Sequence, residues 1–239
     1  MERWITADLH LGHANINRYC GRPFSSAEEM NEAIVDAWNQ MVAPTDRVLI
    51  LGDLALGPIT ESLAVSARLR GQKILLAGNH DRCAALHGKD IRGWVERYRR
   101  EGGIQEIHQG QMRVDLDARH RQILACHFPY RGDSGPDLRY AEQRPLDTGE
   151  WLLHGHVHEK WRQADRQINV GIDAWGGTLA NTKELVALID AGPRDVPRIP
   201  WSRSGGSTIG IPSQAPGSGG RANQIYPSGH SAVERERMR

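Results

Sequence analysis

The sequence predicts an α/β fold. Three features carry that prediction: short apolar runs of strand length, amphipathic helical stretches between them, and polar residues gathered just past the ends of the runs.

Six runs carry the strand signal: residues 4–7, 48–51, 74–77, 123–126, 151–153 and 168–170. Each is almost continuously apolar, as expected of strands in a sheet covered on both faces. The strongest helix signal lies between the first two runs. Ser25 with Glu28, or Ser26 with Glu29, forms a capping box, then Met30, Ile34, Trp38 and Met41 follow at helical spacing until Pro44. A second helix is predicted over 58–70, stopped by Gly71. Over 104–126 the pattern changes. Met112, Val114 and Leu116 alternate with polar neighbours, and turns fall at Gln109-Gly110 and near Arg119-His120, which predicts an antiparallel meander. A last helix starts at Asn181, with Glu184 completing its cap.

Composition divides the 239 residues at about Pro193. Beyond it seven arginines face three acidic residues, and half of the twelve prolines fall there with seven glycines, so 193–239 reads as a disordered tail. Residues 1–192 form the folded body. That body is slightly negative, which gives no strong nucleic-acid-binding signal but suits carboxylates held for cations. No apolar run approaches the roughly 18–20 residues that a membrane span needs. Cys20, Cys83 and Cys126 lie far apart, which excludes a Cys-x-x-Cys zinc site and argues against a disulfide framework. With no signal-like apolar stretch after Met1, a cytoplasmic location is expected.

The chemistry sits at the strand exits. After Ala7 comes Asp8-Leu9-His10; after Leu51, Gly52-Asp53; after Ala77, Gly78-Asn79-His80-Asp81. After Cys126 comes His127, and after Leu153, His154-Gly155-His156-Val157-His158. Loops at the carboxyl ends of strands in α/β sheets converge on one crevice, so five strands deliver Asp, Asn and His to one place. Imidazole, carboxylate and carboxamide donors without thiolate suit Mn, Fe, Co, Ni or Zn, with manganese expected first. About seven donors are too many for one ion with an open position, but suit two divalent ions sharing a carboxylate.

In that order, Asp8-x-His10, Gly52-Asp53, Gly78-Asn79-His80-Asp81, His127 and Gly155-His156-x-His158 resemble the calcineurin-like metallophosphoesterase superfamily. The stretch from Asp8 to Ile16 and His127-Phe128-Pro129-Tyr130 look like its short cytosolic bacterial and phage members. The resemblance implies a two-sheet α/β sandwich flanked by helices, with the site at one edge. It implies that Asp8, His10 and His158 hold one metal, that Asn79, His127 and His156 hold the other, and that Asp53 bridges them. A hydroxide shared by the metals would then attack phosphorus, with His80 as proton donor to the leaving group. Asp81 could orient His80 or cap the following turn. His13 could support the first metal's surroundings or simply pack in the loop, and His154 is expected to be structural or to hydrogen-bond behind the ligands. After Asn169-Val170-Gly171-Ile172-Asp173, the run Ala174-Trp175-Gly176-Gly177-Thr178 departs from the family's usual proline-containing continuation.

The long polar loop over 130–144 is the expected specificity loop. Tyr130, Arg131 and Arg139, together with Arg82, are its candidate substrate contacts. The expected activity is hydrolysis of a small nucleotide-like phosphodiester, a cyclic nucleotide among the options. A phosphomonoesterase or nucleotidase is the enzymatic rival. A nuclease would be expected to add a capping domain and a basic groove. A non-catalytic protein-interaction scaffold would be expected to lack part of the metal set or His80, and here nothing is missing.

Overall fold

A computed structural model describes residues 2–88, 91–135 and 139–202. The six apolar runs divide evenly between two stacked five-stranded sheets. In the first, β1 (Arg3–Thr6), β2 (Arg47–Ile50), β3 (Gln72–Leu76) and β4 (Glu106–His108) run parallel, and β10 (Ala180–Asn181) lies antiparallel beside β1. In the second, β6 (Ile123–Cys126), β7 (Leu152–His154) and β9 (Gln167–Asn169) run parallel. They are flanked antiparallel by β5 (Gln111–Val114) and β8 (Gln163–Ala164). This is the two-layer α/β architecture that the family resemblance implies.

Alternation along the strands sorts the core. Val48, Ile50 and Leu75 face the helices, whereas Leu49, Leu51, Ile74 and Leu76 face the second sheet and meet Ala125, Leu153 and Ile168. Against the helix side pack α1 (Ala14–Cys20), α2 (Ala27–Met41), α3 (Ile59–Ala67) and α4 (Arg92–Gly102). Of the two possible caps of α2, Ser26 is the one used: its hydroxyl accepts from Glu29 N (3.1 Å), and Glu29 reaches back to Ser25 N (2.7 Å). Trp38 is fully buried and donates to Arg70 O (2.9 Å), which ties α2 to the turn before β3. The last helix, α5 (Thr182–Asp190), carries the expected Asn181–Glu184 capping box.

Two expectations need correction. The stretch over 104–126 is not one meander. The Gln109-Gly110 turn carries the chain from one sheet to the other, so β4 pairs parallel with β3 and only β5 pairs antiparallel with β6. Nor does the ordered body stop at residue 192. Val196 pairs with Gln163, Ile199 N donates to Ala174 O (2.9 Å), and the Trp201 ring meets Phe24 edge-on at 5.4 Å. Val196 packs on the core between the sheets, and Trp201 packs with Phe24 on the helix-side core. Gly176-Gly177, the departure from the family pattern, lies beneath this Pro-rich stretch, where a side chain on Gly177 would strike the Trp201 ring. The rest of the expected disordered tail, 203–239, lies outside the described residues.

Among the described residues no helix is long and apolar enough to cross a membrane. The three cysteines are free and buried.

Candidate metal centre

The strand exits meet where the sheets touch. Ile172 N donates to Ala7 O (3.0 Å), and His156 N donates to both carboxylate oxygens of Asp8 (3.1 and 3.0 Å), joining the end of β1 to the loop after β7. Asp8 and His10 follow β1, Asp53 follows β2, Asn79 and His80 follow β3, His127 follows β6, and His156 and His158 follow β7. All seven expected ligands are buried.

Five of them hold left-handed backbone: Asp8 (φ 57°), His10 (51°), Asp53 (55°), His156 (71°) and His158 (51°). Asp and His tolerate this region better than most side chains, yet each such residue still costs about 1–2 kcal/mol. Strain of this kind concentrates where geometry is set for a ligand.

Among the described residues two groups of donor atoms include Asp8, and a third sets Cys20 and Asp173 beside His158. Asp8, His10 and His158 bring one atom each within 4.8 Å of one another, and Asp8, Asp53 and His127 do the same. Asn79 Oδ1 lies 2.8 Å from His127 Nε2 and 3.0 Å from His156 Nδ1. His127 Nδ1 lies 2.8 Å from Leu51 O, and since a carbonyl only accepts, that nitrogen carries the proton and Nε2 offers its lone pair inward. Asp53 links the groups: its Oδ2 is 3.6 Å from His10 Nε2 and 3.5 Å from His127 Nε2.

These donors fit a pair of cations. Asp53 Oδ2 and both ring nitrogens of His10 are buried without a hydrogen-bond partner. A buried polar atom left so costs about 1–3 kcal/mol, which a bound cation would offset. Burial and the neighbouring imidazoles hold the pKa of His10 well below its usual value, and burial pushes that of His156 down to about 3, so both rings keep lone pairs at neutral pH. Burial pushes Asp8 the other way, up to about 6, partly countered by His158. Burial also opposes the charge of Asp53, but His127 and His80 outweigh it and hold that carboxyl below its usual range.

His80 differs from the rest. It is more open than the ligands, at the mouth of the site, its ring 5.4 Å from that of His10, and its backbone N donates to Asp53 Oδ1 (2.9 Å). Asp81 does not orient it. That carboxylate accepts from Asp53 N (2.8 Å), Gly78 N (2.9 Å) and Leu54 N (3.0 Å), and so braces the two loops that carry Asp53 and Asn79. His13 sits beside the first group, its ring 5.6 Å from His10. His154 is fully buried, donates from Nδ1 to Gly155 O (2.7 Å) and points to no donor group, which is the structural role expected of it.

The candidate substrate contacts are only loosely gathered. Tyr130 packs on the apolar outer face of the second sheet, with Leu124, Cys126, Phe128 and Leu152, because that face needs cover. Arg131 is tied by its backbone to the Gln167 side chain (3.3 and 3.2 Å). Arg82 is exposed and lies over the Trp94 ring at 4.8 Å. Arg139 binds Asp133 (3.1 Å) with its side chain 45% exposed, so it keeps one open flank.

Sequence reasoning missed the residues that stand behind the donors. Arg22, buried two residues beyond the end of α1, donates to Asp173 twice (2.8 Å each), and also donates to Asp8 O (2.7 Å) and Leu9 O (2.9 Å). Asn169 donates to His158 O (2.7 Å) while its Oδ1 accepts from Gly171 N (2.8 Å), pinning the loop after β7 to the end of β9. The clue available was the Asn169–Asp173 segment, whose polar ends follow a strand like the other blocks.

A profile of the calcineurin-like phosphoesterases matches residues 1–160. The chain is 32% identical over 199 residues to the Gene 66 protein of Mycobacterium phage D29, covering 79% of this chain and 98% of that one. It is 33% identical to the Gene 66 protein of phage L5, over 78% and 93% of the two chains. An uncharacterised protein of Methanocaldococcus jannaschii is 42% identical over 201 residues, covering 79% and 92%. The crystal structure of a protein of unknown function from Aquifex aeolicus superposes with a TM-score of 0.57 at 22% identity, over 78% of this chain and 98% of that one, and so shares the fold. Two sheets meeting at an edge lined with buried His, Asp and Asn, and a matching profile over two thirds of the length, make this chain a calcineurin-like phosphoesterase, a hydrolase of phosphoester bonds.

Proposed function

We propose that the protein is a dinuclear-metal-dependent phosphodiesterase acting on small nucleotide-like esters. One observation carries the dinuclear reading: unpartnered Asp53 Oδ2 stands 3.5–3.6 Å from an imidazole nitrogen of each donor group. Asp8, His10 and His158 would hold one divalent ion, Asn79, His127 and His156 the other, and Asp53 both. Such ions supply Lewis acidity and a water deprotonated at neutral pH, and manganese is the first candidate by donor type. His80 reaches the mouth where a leaving group would depart, and its backbone tether to Asp53 keeps it beside the centre. Partial burial lowers its pKa against the pull of Asp53, so it titrates below its usual value. A phosphodiester fits this arrangement because His80 supplies the proton that an alkoxide leaving group needs. The half-open Arg139 flank supports an anionic substrate.

The test compares bis(p-nitrophenyl) phosphate with p-nitrophenyl phosphate under added Mn²⁺. Preferential hydrolysis of the diester is expected, with His80→Ala retaining metal but slowed about 10²–10⁴-fold, the usual weight of a proton donor. Preference for the monoester would replace the diesterase reading with the monoesterase one. No turnover with any divalent ion would leave a scaffold. Asp53→Ala should lose both activity and metal.

A further inference from the structure

The imidazoles of the centre are braced from behind by different means. A backbone carbonyl holds His127, and Asp173 faces His158. His156 faces a residue outside all five motif blocks: its Nε2 lies 3.3 Å from Asp133 Oδ1, at an angle short of a full hydrogen bond. Asp133 belongs to the loop after β6 that was expected to read substrate.

That carboxylate is strongly anchored. It accepts from Arg139 N (2.9 Å), Arg139 Nη2 (3.1 Å), Arg144 Nη2 (2.9 Å) and Ser134 Oγ (3.3 Å), and its side chain is 3% exposed. Arg144 is buried in turn and donates to Pro129 O (3.2 Å) and Gly132 O (2.8 Å), which fastens the loop to itself. The His156 ring is boxed edge-on by Phe128 at 5.0 Å and Tyr140 at 5.7 Å. A carboxylate surrounded by two guanidinium groups stays ionised and can only accept. The nitrogen facing it therefore carries the proton, and the lone pair falls on Nδ1, the nitrogen 3.0 Å from Asn79 Oδ1.

We propose that Asp133 is a positioning residue that fixes the tautomer and orientation of His156, so that Nδ1 is presented to the ion shared with Asn79 and His127. The proposal rests on the dinuclear reading above. It also reassigns the loop: Arg139 and Arg144 serve first to hold Asp133, and through it the second metal. Carboxylate braces behind metal-binding imidazoles are worth about 10–100-fold in metal affinity.

The test uses the full chain stripped of metal and titrated with Mn²⁺ by calorimetry, and with Co²⁺ followed by its visible absorption. Wild type should bind two ions. Asp133→Asn should weaken one binding event about 10–100-fold, leave the other unchanged, and alter only part of the cobalt spectrum. Nitrogen-15 histidine spectra of the zinc-loaded wild type test the same point without a variant, with His156 assigned by its loss in His156→Gln. Nε2 protonated and Nδ1 bound to metal is expected. Two unchanged binding events in Asp133→Asn, or a His156 proton on Nδ1, would overturn the role of Asp133 and leave the dinuclear site standing. A wild type that binds fewer than two ions would instead overturn the dinuclear reading, and the proposal with it.

Discussion

Asp173 Oδ2 lies 3.5 Å from His158 Nδ1, and the same carboxylate receives Arg22 twice at 2.8 Å and Trp201 Nε1 at 2.9 Å. The Arg22 and Asp173 side chains are fully buried. Burial disfavours both charges, but Arg22 and His158 together hold Asp173 well below the usual carboxylate range. Removing one partner of a buried pair leaves the other charge uncompensated, at about 3–5 kcal/mol. Asp173→Ala should therefore lower unfolding stability by about that amount in urea titrations. Arg22→Lys should lose part of it, since an ammonium cannot span both carboxylate oxygens while also reaching Asp8 O and Leu9 O.

Trp201 extends this cluster into the segment after α5. Ending the chain after Ser202 keeps the indole on Asp173, the edge-on contact with Phe24 and the pairing of Val196 with Gln163. Ending it after Gly192 removes all three. The shorter chain should be less stable by about 2–4 kcal/mol, the scale of losing three half-buried apolar side chains, Val196, Ile199 and Trp201. The longer one should match the full chain in melting temperature and in hydrolysis of bis(p-nitrophenyl) phosphate. Equal stability of the two truncations would show the segment to be dispensable.

The strands were legible because a doubly covered sheet leaves short, continuous apolar runs, and α2 and α5 because each carries both a cap and a stripe. The donors were legible because their types recur at strand exits. What escaped has a physical reason in each case. Helix α4 has an apolar face of only Trp94, Val95 and Tyr98, has Ile91 at its N-cap with no side-chain cap, and includes Gly93. Helix α1 spans only Ala14–Cys20, too short for a periodic signal. Residues 193–202 looked solvated because their few apolar side chains are scattered among prolines, yet three of them find cover on the body. Arg22 and Asp133 carried no signal of their roles, because a buried ion pair leaves no periodic trace. The left-handed backbone at five of the expected ligands has no sequence signature beyond the tolerance of Asp and His for it.

Gly52 is the point at which that backbone depends on a missing side chain. Its φ is 89°, and a Cβ there would strike His127 Nδ1 and come within 2.6 Å of Gly78 Cα. Gly149 has a similar φ of 85° but open space around it. Substituting alanine at Gly149 should cost only the conformational penalty, about 1–2 kcal/mol. At Gly52 the collision adds to that penalty and pushes apart the loops carrying Asp53, Asn79 and His127. Gly52→Ala should thus lose Mn²⁺ binding by calorimetry while Gly149→Ala retains it.

Lys73 gives a pH-dependent prediction away from the metal centre. It lies on β3 with 3% exposure, and its Nζ donates to Leu69 O (2.7 Å). Burial pushes its pKa down to about 8, whereas an unfolded lysine titrates near 10.4. Below pH 8 the amine is charged in both states, and the folded state bears the full cost of burying it. Between about 8 and 10.4 the folded protein has released this proton and the unfolded chain still holds it, so stability from this group rises with pH. Lys73→Met keeps the chain length and removes the charge. It should raise stability at pH 7 by about 1–2 kcal/mol, allowing for the lost hydrogen bond and partial solvation of the amine. The advantage should shrink steadily from pH 8 to pH 10 in paired urea titrations of the two proteins. A difference that stays constant over that range would mean that Lys73 keeps its proton when folded, and that burial at this position does not govern its charge.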